Sequence, residues 1–420
     1  MIGELEHFAS RTGADVQRFV NEGKQELTQH VTEHPQPLFE LLRAVKPVLQ
    51  IHDIAIVTRY ADVIEILSNE KAFGVEPYTG KMHALVGDFI LGLDDSPEYE
   101  RHVSILRLAA PRSGIPKLAS FVADTAEALV AESAGRNGGQ VAIPDLAARV
   151  PARLAARWLG TPGPDENTMI KWTLALFEDI FVNVKNDPEI HAAAGSAAKE
   201  LRAYIDALIA ERKVSGGTHD VLGRLLAMQA NPATAFTDDE IAANLIGLIT
   251  GFIPTVATVT TLALDVLLDR PDALTQGQAA ARVGDDDALR AVMWEAMRFA
   301  PQGPGLLRRA RSDFVVAAGS LHETRISAGT FTLAATESAM LDGDVVDDPH
   351  EFRPGRPAHH YLHFGTGLHT CFGRFANEMQ IPQIANALLR RGTLARAPGD
   401  AGKLVKHGPY PVSLAVTIAA

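Results

Sequence analysis

The sequence predicts a single, mainly α-helical domain with small β-sheets, and three observations predict it. The 420 residues, 46% of them apolar and 21% charged, are enough to build one large core. Alanine- and leucine-rich segments with helical spacing, broken by glycine and proline clusters, fill most of the chain from about residue 97. Alternating stretches typical of strands are concentrated at about 35–60 and 313–336. No repeat or linker divides the chain, so residues 1–420 are expected to form one domain.

The first elements are short. A helix, a strand pair around Asp53 and a second helix from Tyr60 are expected between residues 35 and 67. Helices then follow to about Gln229. A long helix begins near Asp238, because Thr237 opens a capping box in front of it.

The later elements mix helices and strands. The pattern predicts a helix over 286–299, strands between 313 and 336, a helix from the cysteine at 371 to about 391, and a strand-like end from 403.

Charge and cysteine content exclude several classes of protein. The 39 basic and 51 acidic residues give a net charge of -12, which disfavours nucleic-acid binding and suits a cytoplasmic protein. The charged N-terminus lacks the apolar core of a signal peptide, which also favours a cytoplasmic location. A single cysteine excludes an internal disulfide and any metal site that needs several thiolates.

The run from Ile241 to Leu264 carries no charge and is long enough to cross a bilayer. It contains Asn244, Pro254 and several threonines, and acidic residues precede it directly. We therefore expect a helix buried in a protein core and no membrane span.

The chemistry is concentrated around the one cysteine. The segment YLHFGTGLHTCFGRFA at 361–376 places Gly365, Gly367 and His369 just before Cys371 and a helix. Glycines let a backbone adopt positive φ and approach a flat ligand closely. A thiolate at a helix N-terminus is stabilised by the free amides there.

The pattern F-x-x-G-x-x-x-C-x-G, met by Phe364, Gly367, Cys371 and Gly373, resembles the haem-ligating loop of the cytochrome P450 family. Two further stretches resemble that family in order and separation: Glu295-Ala-Met-Arg298, and Phe352-Arg-Pro-Gly-Arg356. The resemblance spans nearly the whole chain and implies a soluble bacterial haem-thiolate enzyme.

The resemblance implies haem b (iron protoporphyrin IX) as cofactor, with Cys371 as the iron ligand and Phe364, Gly365 and Gly367 beside it. Glu295, held between Arg298 and Arg356, would brace the cysteine loop from behind.

The haem propionates need donors, and the resemblance assigns His369 and Arg308 to them. Arg309 is the alternative to Arg308. Where the family has a histidine and an arginine one turn apart, this chain has Tyr99 and Val103. Tyr99 retains a hydrogen-bond donor, but the cation is missing.

The long helix departs from the family at the distal face of the haem. The family usually has A-G-x-(D/E)-T there, whereas this chain reads Thr250-Gly-Phe-Ile-Pro-Thr255. Alignment on Gly251 puts proline at the alcohol position, and alignment from the helix end puts Pro254 at the acid and Thr255 at the alcohol. Neither alignment supplies a carboxylate.

Pro254 is expected to kink the helix. Thr255 is then expected to face oxygen, and the alternative is that its hydroxyl only bonds back to a helix carbonyl.

Two functions follow from the missing acid. The first is a monooxygenase that uses O2 and electrons from a separate ferredoxin and reductase; the second is a peroxygenase or hydroperoxide-converting enzyme. His83 is a candidate acid for the second, although a surface histidine is the simpler interpretation. A non-enzymatic haem sensor, and a metal cluster of Cys371 with His359, His360, His363 and His369, are remote alternatives.

The segments that the resemblance places near substrate are apolar, which favours a hydrophobic small molecule such as a fatty acid, terpenoid or polyketide. A local basic set is a candidate docking face for an acidic ferredoxin. It consists of Arg101, Arg107, Arg112, Lys117 and Arg374.

Overall fold

Helices make up most of the computed structural model, which describes residues 31, 35–216, 219–231, 234 and 236–418. The N-terminal stretch, on which the prediction about a signal peptide depends, lies outside these residues. The helices are α1 (Pro35–Val45), α2 (Tyr60–Leu67), α3 (Glu76–Leu85), α4 (Pro97–Ala109), α5 (Ala119–Arg136), α6 (Ile143–Leu154), α7 (Glu166–Phe177), α8 (Pro188–Ser215), α9 (Val221–Gln229), α10 (Asp238–Leu268), α11 (Pro271–Val283), α12 (Asp286–Phe299), α13 (Thr336–Ala339) and α14 (Arg374–Leu389). One π-helical turn (Ala155–Leu159) extends α6 and another (Glu178–Val182) extends α7.

The strands form one mixed sheet and three smaller antiparallel units. They are β1 (Val48–Ile51), β2 (Ile54–Val57), β3 (Phe73–Gly74), β4 (Gln140–Ala142), β5 (Leu306–Ala310), β6 (Phe314–Val316), β7 (Thr324–Ile326), β8 (Phe331–Ala334), β9 (Leu394–Arg396), β10 (Val405–His407), β11 (Tyr410–Ser413) and β12 (Ala415–Ile418). The mixed sheet has the order β1-β2-β8-β5-β3, in which only β2 and β8 are parallel. The other units are β4-β12-β9 and the hairpins β6-β7 and β10-β11.

The predicted fold class is confirmed, but the β-containing part is larger than residues 35–60 and 313–336. Strands β3 and β5 complete the mixed sheet, and β4 and β9 pair with the C-terminal strand β12. The sequence did not reveal β5 because it carries two consecutive arginines, Arg308 and Arg309, which hide its apolar alternation.

Helix α10 is the central helix of the molecule. It begins at Asp238 as predicted, where the Thr237 hydroxyl accepts from the Glu240 amide and the Glu240 carboxylate accepts from the Thr237 amide. It packs against α6, α7, α8, α12 and α14. Of its most apolar stretch, 78% is buried inside the protein. Length and composition alone would allow this helix to cross a membrane, but its burial is that of a core helix.

Candidate functional site

The middle of α10 has one exposed position on an otherwise mostly buried helix. Gly251 is exposed although Phe252, Ile253 and Pro254 beside it are buried, and Leu248 and Thr255 on the same helix face are half-buried. A Cβ atom at Gly251 would have no neighbour within 4 Å. The absence of a side chain therefore leaves room on this face of the helix.

Cys371 lies in the loop that precedes α14. Its side chain is exposed, yet burial raises the pKa of the thiol, against smaller lowering effects from the Gly373 and Arg374 amides and the Arg374 charge. A thiol that is both exposed and desolvated faces an internal cavity and not bulk solvent. Helix α14 begins directly after the cysteine loop and packs against α10, so we assign both openings to one cavity.

Two glycines fix the shape of the cysteine loop. Gly365 and Gly367 have φ values of 65° and 78°, a region that other residues rarely adopt. A Cβ at Gly367 would also overlap the carbonyl oxygen of Leu67. The loop closes through the Cys371 amide, which donates to the Phe364 carbonyl at 2.9 Å. The glycines predicted from sequence are therefore required by the geometry.

Arg308 is a buried cation that forms no ion pair with another described residue. It lies on β5, is 4% exposed, and donates a hydrogen bond from Nη1 to the Leu307 carbonyl at 2.9 Å. It forms no ion pair within the described part of the chain, and burial lowers its pKa. Arg309 points the other way, exposed, with its guanidinium 4.9 Å from the Phe331 ring centroid. The structure thus separates the two arginines that the sequence left as alternatives.

His369 lies near this arginine and packs against Tyr99. Their ring centroids are 5.3 Å apart. Burial, together with the positive charge of Arg308, lowers the pKa of His369 to about 4, so the imidazole is neutral at physiological pH. The Tyr99 hydroxyl donates to the Leu368 carbonyl at 2.7 Å. The hydroxyl that the sequence offered as a donor to the cofactor therefore supports the cysteine loop in this structure.

Glu295 is the centre of a buried ionic network behind the loop. It is fully buried and accepts from Arg298 at 2.6 Å and from Arg356 at 3.1 Å. The predicted charged triad is thus brought together. The Arg353 amide at 3.0 Å and the Tyr361 hydroxyl at 2.9 Å complete the network.

Sequence reasoning missed the role of Tyr361 and His363. Tyr361 is the first residue of the cysteine segment, and its hydroxyl donates directly to Glu295. His363 bonds through Nε2 to the Trp294 carbonyl at 2.9 Å, and burial lowers its pKa to about 4. Both side chains tie the loop to α12. The signal was their alternating position in Tyr361-Leu-His363, which places both on one side of an extended segment.

Thr255 lies one turn after Gly251 on the open face of α10. Its hydroxyl donates to the Gly251 carbonyl at 2.5 Å and lies 3.3 Å from the Phe252 carbonyl. This is the bond back to the helix that the sequence left as the alternative to a catalytic role. Pro254 is buried and carries no amide hydrogen for the Thr250 carbonyl. No carboxylate of α10 lies between Glu240 and Asp265.

The other histidine candidates do not reach the cavity as a group. His83 is exposed, and its Nδ1 lies 2.8 Å from Asp88 Oδ1, which matches the surface interpretation. Among the described residues, the group whose ligand atoms converge is Glu98, His102 and Glu240, and it includes neither Cys371 nor the four histidines around it. Arg101 already pairs with Glu240 in that group.

The residues present fit haem. A flat dianionic cofactor with a metal at its centre needs an apolar space, a soft ligand and cations for its carboxylates. This chain offers the thiol of Cys371, the guanidinium of Arg308, which has no ion pair among the described residues, and the side-chain-free surface at Gly251.

Comparison with known proteins agrees with this geometry. A family model described as Cytochrome P450 matches residues 166–417. The putative cytochrome P450 137 of Mycobacterium tuberculosis is 29% identical over 51% of this chain and 46% of its own length, so the chain spans about half of that relative.

Two further similarities cover more of the molecule. The erythromycin C-12 hydroxylase of Saccharopolyspora erythraea is 28% identical over 78% of this chain and 80% of its own length. The crystal structure of CalO2 superposes with a TM-score of 0.78 at 23% identity over 93% of this chain and 97% of that chain, which shows a shared fold.

Proposed function

The chain belongs to the cytochrome P450 family, and we propose that it is a haem-thiolate monooxygenase acting on an apolar small molecule. The observation that carries the proposal is the single thiol of Cys371, which is exposed on the glycine-shaped loop before α14 although burial raises its pKa. The charged network around Glu295 supports it, because it braces the loop that holds this thiol.

In this proposal the cofactor is haem b, and Cys371 is its iron ligand. Haem bound to a thiolate supplies the activation of oxygen. Arg308 and neutral His369 would hold the two propionates, Arg308 by charge and His369 by a hydrogen bond. Phe364, Gly365 and Gly367 would let the loop backbone approach the ring, while Tyr99 fixes the loop through Leu368.

Thr255, Gly251 and Pro254 form the distal part of the proposed site. The Gly251 carbonyl holds the Thr255 hydroxyl at the edge of the opening. Since this face of α10 has no carboxylate, protons must come from water in the opening and pass through the hydroxyl. Pro254 keeps the Thr250 carbonyl free of its usual helical partner, so it is available to orient such a water.

The proposed substrate is hydrophobic. Three aromatic rings pack together on α3 and the segment after α7. The ring centroids of Tyr78 and Phe181 are 5.3 Å apart, and those of Phe177 and Phe181 are 4.6 Å apart. An apolar lining selects apolar molecules, such as a fatty acid, a terpenoid or a polyketide. The similar protein named erythromycin C-12 hydroxylase supports hydroxylation as the type of reaction.

The proposed electron donor is a separate ferredoxin with its reductase, in the cytoplasm. Of the basic set predicted as a docking face, Arg101 is paired with Glu240 and Arg374 with Glu378. Exposed Arg107 and Lys117, together with Arg112 over the Phe375 ring, remain to attract an acidic partner.

A second function is favoured by Pro254 at the place of the usual acid. An enzyme that takes a peroxide or a hydroperoxide receives its O–O bond ready-made and needs no acid to deliver protons for oxygen activation. In that case Thr255 would position the peroxide.

The experiment is product formation by the haem-loaded protein on a panel of fatty acids, terpenoids and polyketides. One arm contains ferredoxin, reductase and NADPH, and the other contains hydrogen peroxide alone. We expect turnover in the first arm. Turnover with peroxide alone would establish the second function, and no turnover in either arm with tight gas binding would indicate a haem sensor.

A further inference from the structure

Lys81 makes a polar connection between α3 and the segment 178–187, which joins α7 to α8 and is called the α7–α8 turn below. Lys81 Nζ donates to the Asp179 carbonyl at 2.9 Å and to the Asn183 carbonyl at 2.6 Å, and lies 3.3 Å from Asp179 Oδ1. Its side chain is 23% exposed, whereas that of Asp179 is fully buried. The three contacts join segments about a hundred residues apart in sequence.

Asp179 is a fixed anchor for this lysine. Asn183 Nδ2 donates to its Oδ1 at 2.7 Å, and His191 Nδ1 lies 2.7 Å from its Oδ2. Burial raises the pKa of Asp179, but the bonds from His191 and Asn183 and the charge of Lys81 outweigh it, and the pKa is lowered. The carboxylate is therefore ionised and held from the α8 side as well.

Aromatic contacts accompany the polar connection. Tyr78, one turn before Lys81 on α3, packs on Phe181 of the same turn. On its other side, the Tyr78 hydroxyl accepts a hydrogen bond from the Leu307 amide at 2.9 Å. Helix α3 is thus clamped between the α7–α8 turn and strand β5.

This clamp lies at the border of the cavity. The segment after α3 packs on α10, where a Cβ at Gly247 would overlap the Phe89 ring, one turn before the opening at Gly251. Leu306 on β5 packs against Gly365 of the cysteine loop. A Cβ atom at Gly365 would lie 3.1 Å from Leu306 Cδ1. The two neighbours of the clamp, the segment after α3 and strand β5, thus contact the elements that carry Gly251 and Cys371.

We propose that Lys81 is a latch that holds α3 against the α7–α8 turn and limits the rate at which bulky ligands enter and leave the cavity. The proposal rests on the proposed function, because it assigns the cavity to haem and substrate. An ammonium group on a flexible chain suits this role, because it can leave two carbonyls and a carboxylate while Asp179 keeps its other two partners. Lys81 is a positioning residue that touches neither cofactor nor substrate.

The test compares Lys81→Met with wild type and with Lys171→Met, which removes an exposed lysine of α7. The probes are imidazole, as a small ligand of ferric haem, and 4-phenylimidazole joined to a second phenyl ring, as a bulky one. Stopped-flow absorbance gives the association and dissociation rates. We expect both rates for the bulky probe to rise about tenfold in Lys81→Met, as for the loss of one charge-assisted hydrogen bond, and imidazole rates to stay unchanged.

A second readout does not depend on haem. Amide hydrogen exchange in the apo protein should become faster at 76–85 and 178–191 in Lys81→Met and not in Lys171→Met. Unchanged bulky-probe rates in Lys81→Met, or an equal change for both probes, would overturn the latch. A wild-type protein that gives no azole spectrum with either probe would instead overturn the proposed function.

Discussion

At the scale of single residues, the site contains polar groups that lack the partners such groups usually have inside a protein. Arg308 is a buried guanidinium without a carboxylate among the described residues, and Cys371 is a desolvated thiol with an exposed surface. Burying a charge without a partner costs several kcal/mol, so such a residue indicates a missing anion. The buried guanidinium of Arg308 thus indicates that the site binds an anionic group.

Arg308→Met should weaken haem retention. A hydrogen bond to a charged group contributes about 1.5 to 3 kcal/mol, which corresponds to roughly a tenfold to hundredfold faster loss of haem. Haem transfer to an excess of a haem-free acceptor protein measures the rate. Arg309→Met is the matched control and should retain haem like the wild type; equal loss in both variants would contradict the assignment.

Thr255→Val should lower the yield of product per NADPH consumed. Proton transfer by a positioned side chain contributes about 100- to 10,000-fold, and valine keeps the shape of threonine while removing the hydroxyl. Thr255→Ser retains the hydroxyl and should keep most of the yield. If valine and wild type give the same yield, the hydroxyl serves only the bond to Gly251.

At the scale of elements, the cysteine loop is tied to α12 at several points. Glu295 on α12 accepts hydrogen bonds from Arg298, Arg356, Arg353 and Tyr361, and His363 bonds to the carbonyl of the preceding helix residue, Trp294. Because the thiol position depends on this loop, α12 positions the proposed iron ligand without touching it.

Breaking this network should destabilise the fold to graded extents. Glu295→Gln leaves two buried arginines without their charge partner and should lower the free energy of unfolding by about 3 to 5 kcal/mol. Tyr361→Phe removes one hydrogen bond to a charged group and should lower it by about 2 kcal/mol. Urea denaturation measures both changes. Tyr60→Phe removes an exposed hydroxyl bond to the His359 carbonyl and is the control, with an expected change below about 0.5 kcal/mol.

At the scale of the whole molecule, sequence patterns predicted the elements that follow local rules. The capping box gave the start of α10, and periodicity gave α12 from Asp286 to Phe299. Strand β5 could not be predicted, because its pairing with β3 and β8 depends on residues far away in sequence. For the same reason the sequence could not decide whether Arg308 or Arg309 contacts a propionate. The structure distinguishes them, because Arg308 lies on the buried face of β5 and Arg309 on the exposed face.

One buried carboxyl should make the stability of the molecule depend on pH near neutrality. Burial raises the pKa of Glu337 to about 7 from an ordinary value of 4.5. The folded state therefore binds a proton that the unfolded state has lost, and this stabilisation is full below pH 4.5 and disappears as pH rises through 7.

Glu337→Gln should remove that dependence. The amide oxygen still accepts from Gln36, as the carboxylate does in the wild type. The variant should gain about 3 kcal/mol over the wild type at pH 8 and little at pH 4. Thermal unfolding across this range measures the difference. Glu40→Gln on the exposed face of α1 is the control, and a parallel pH profile for Glu337→Gln and wild type would contradict the prediction.

Because Cys371 is the single cysteine, labelling of its thiol can measure the fraction of protein molecules that carry the proposed cofactor. With one cysteine in 420 residues, any maleimide or disulfide reagent that labels the native chain labels this sulfur alone. A sulfur that ligates iron is withheld from such reagents, and a sulfur in cofactor-free protein faces a cavity that a small reagent can enter. The unlabelled fraction of a preparation would therefore count its loaded molecules directly, without reference to colour or turnover.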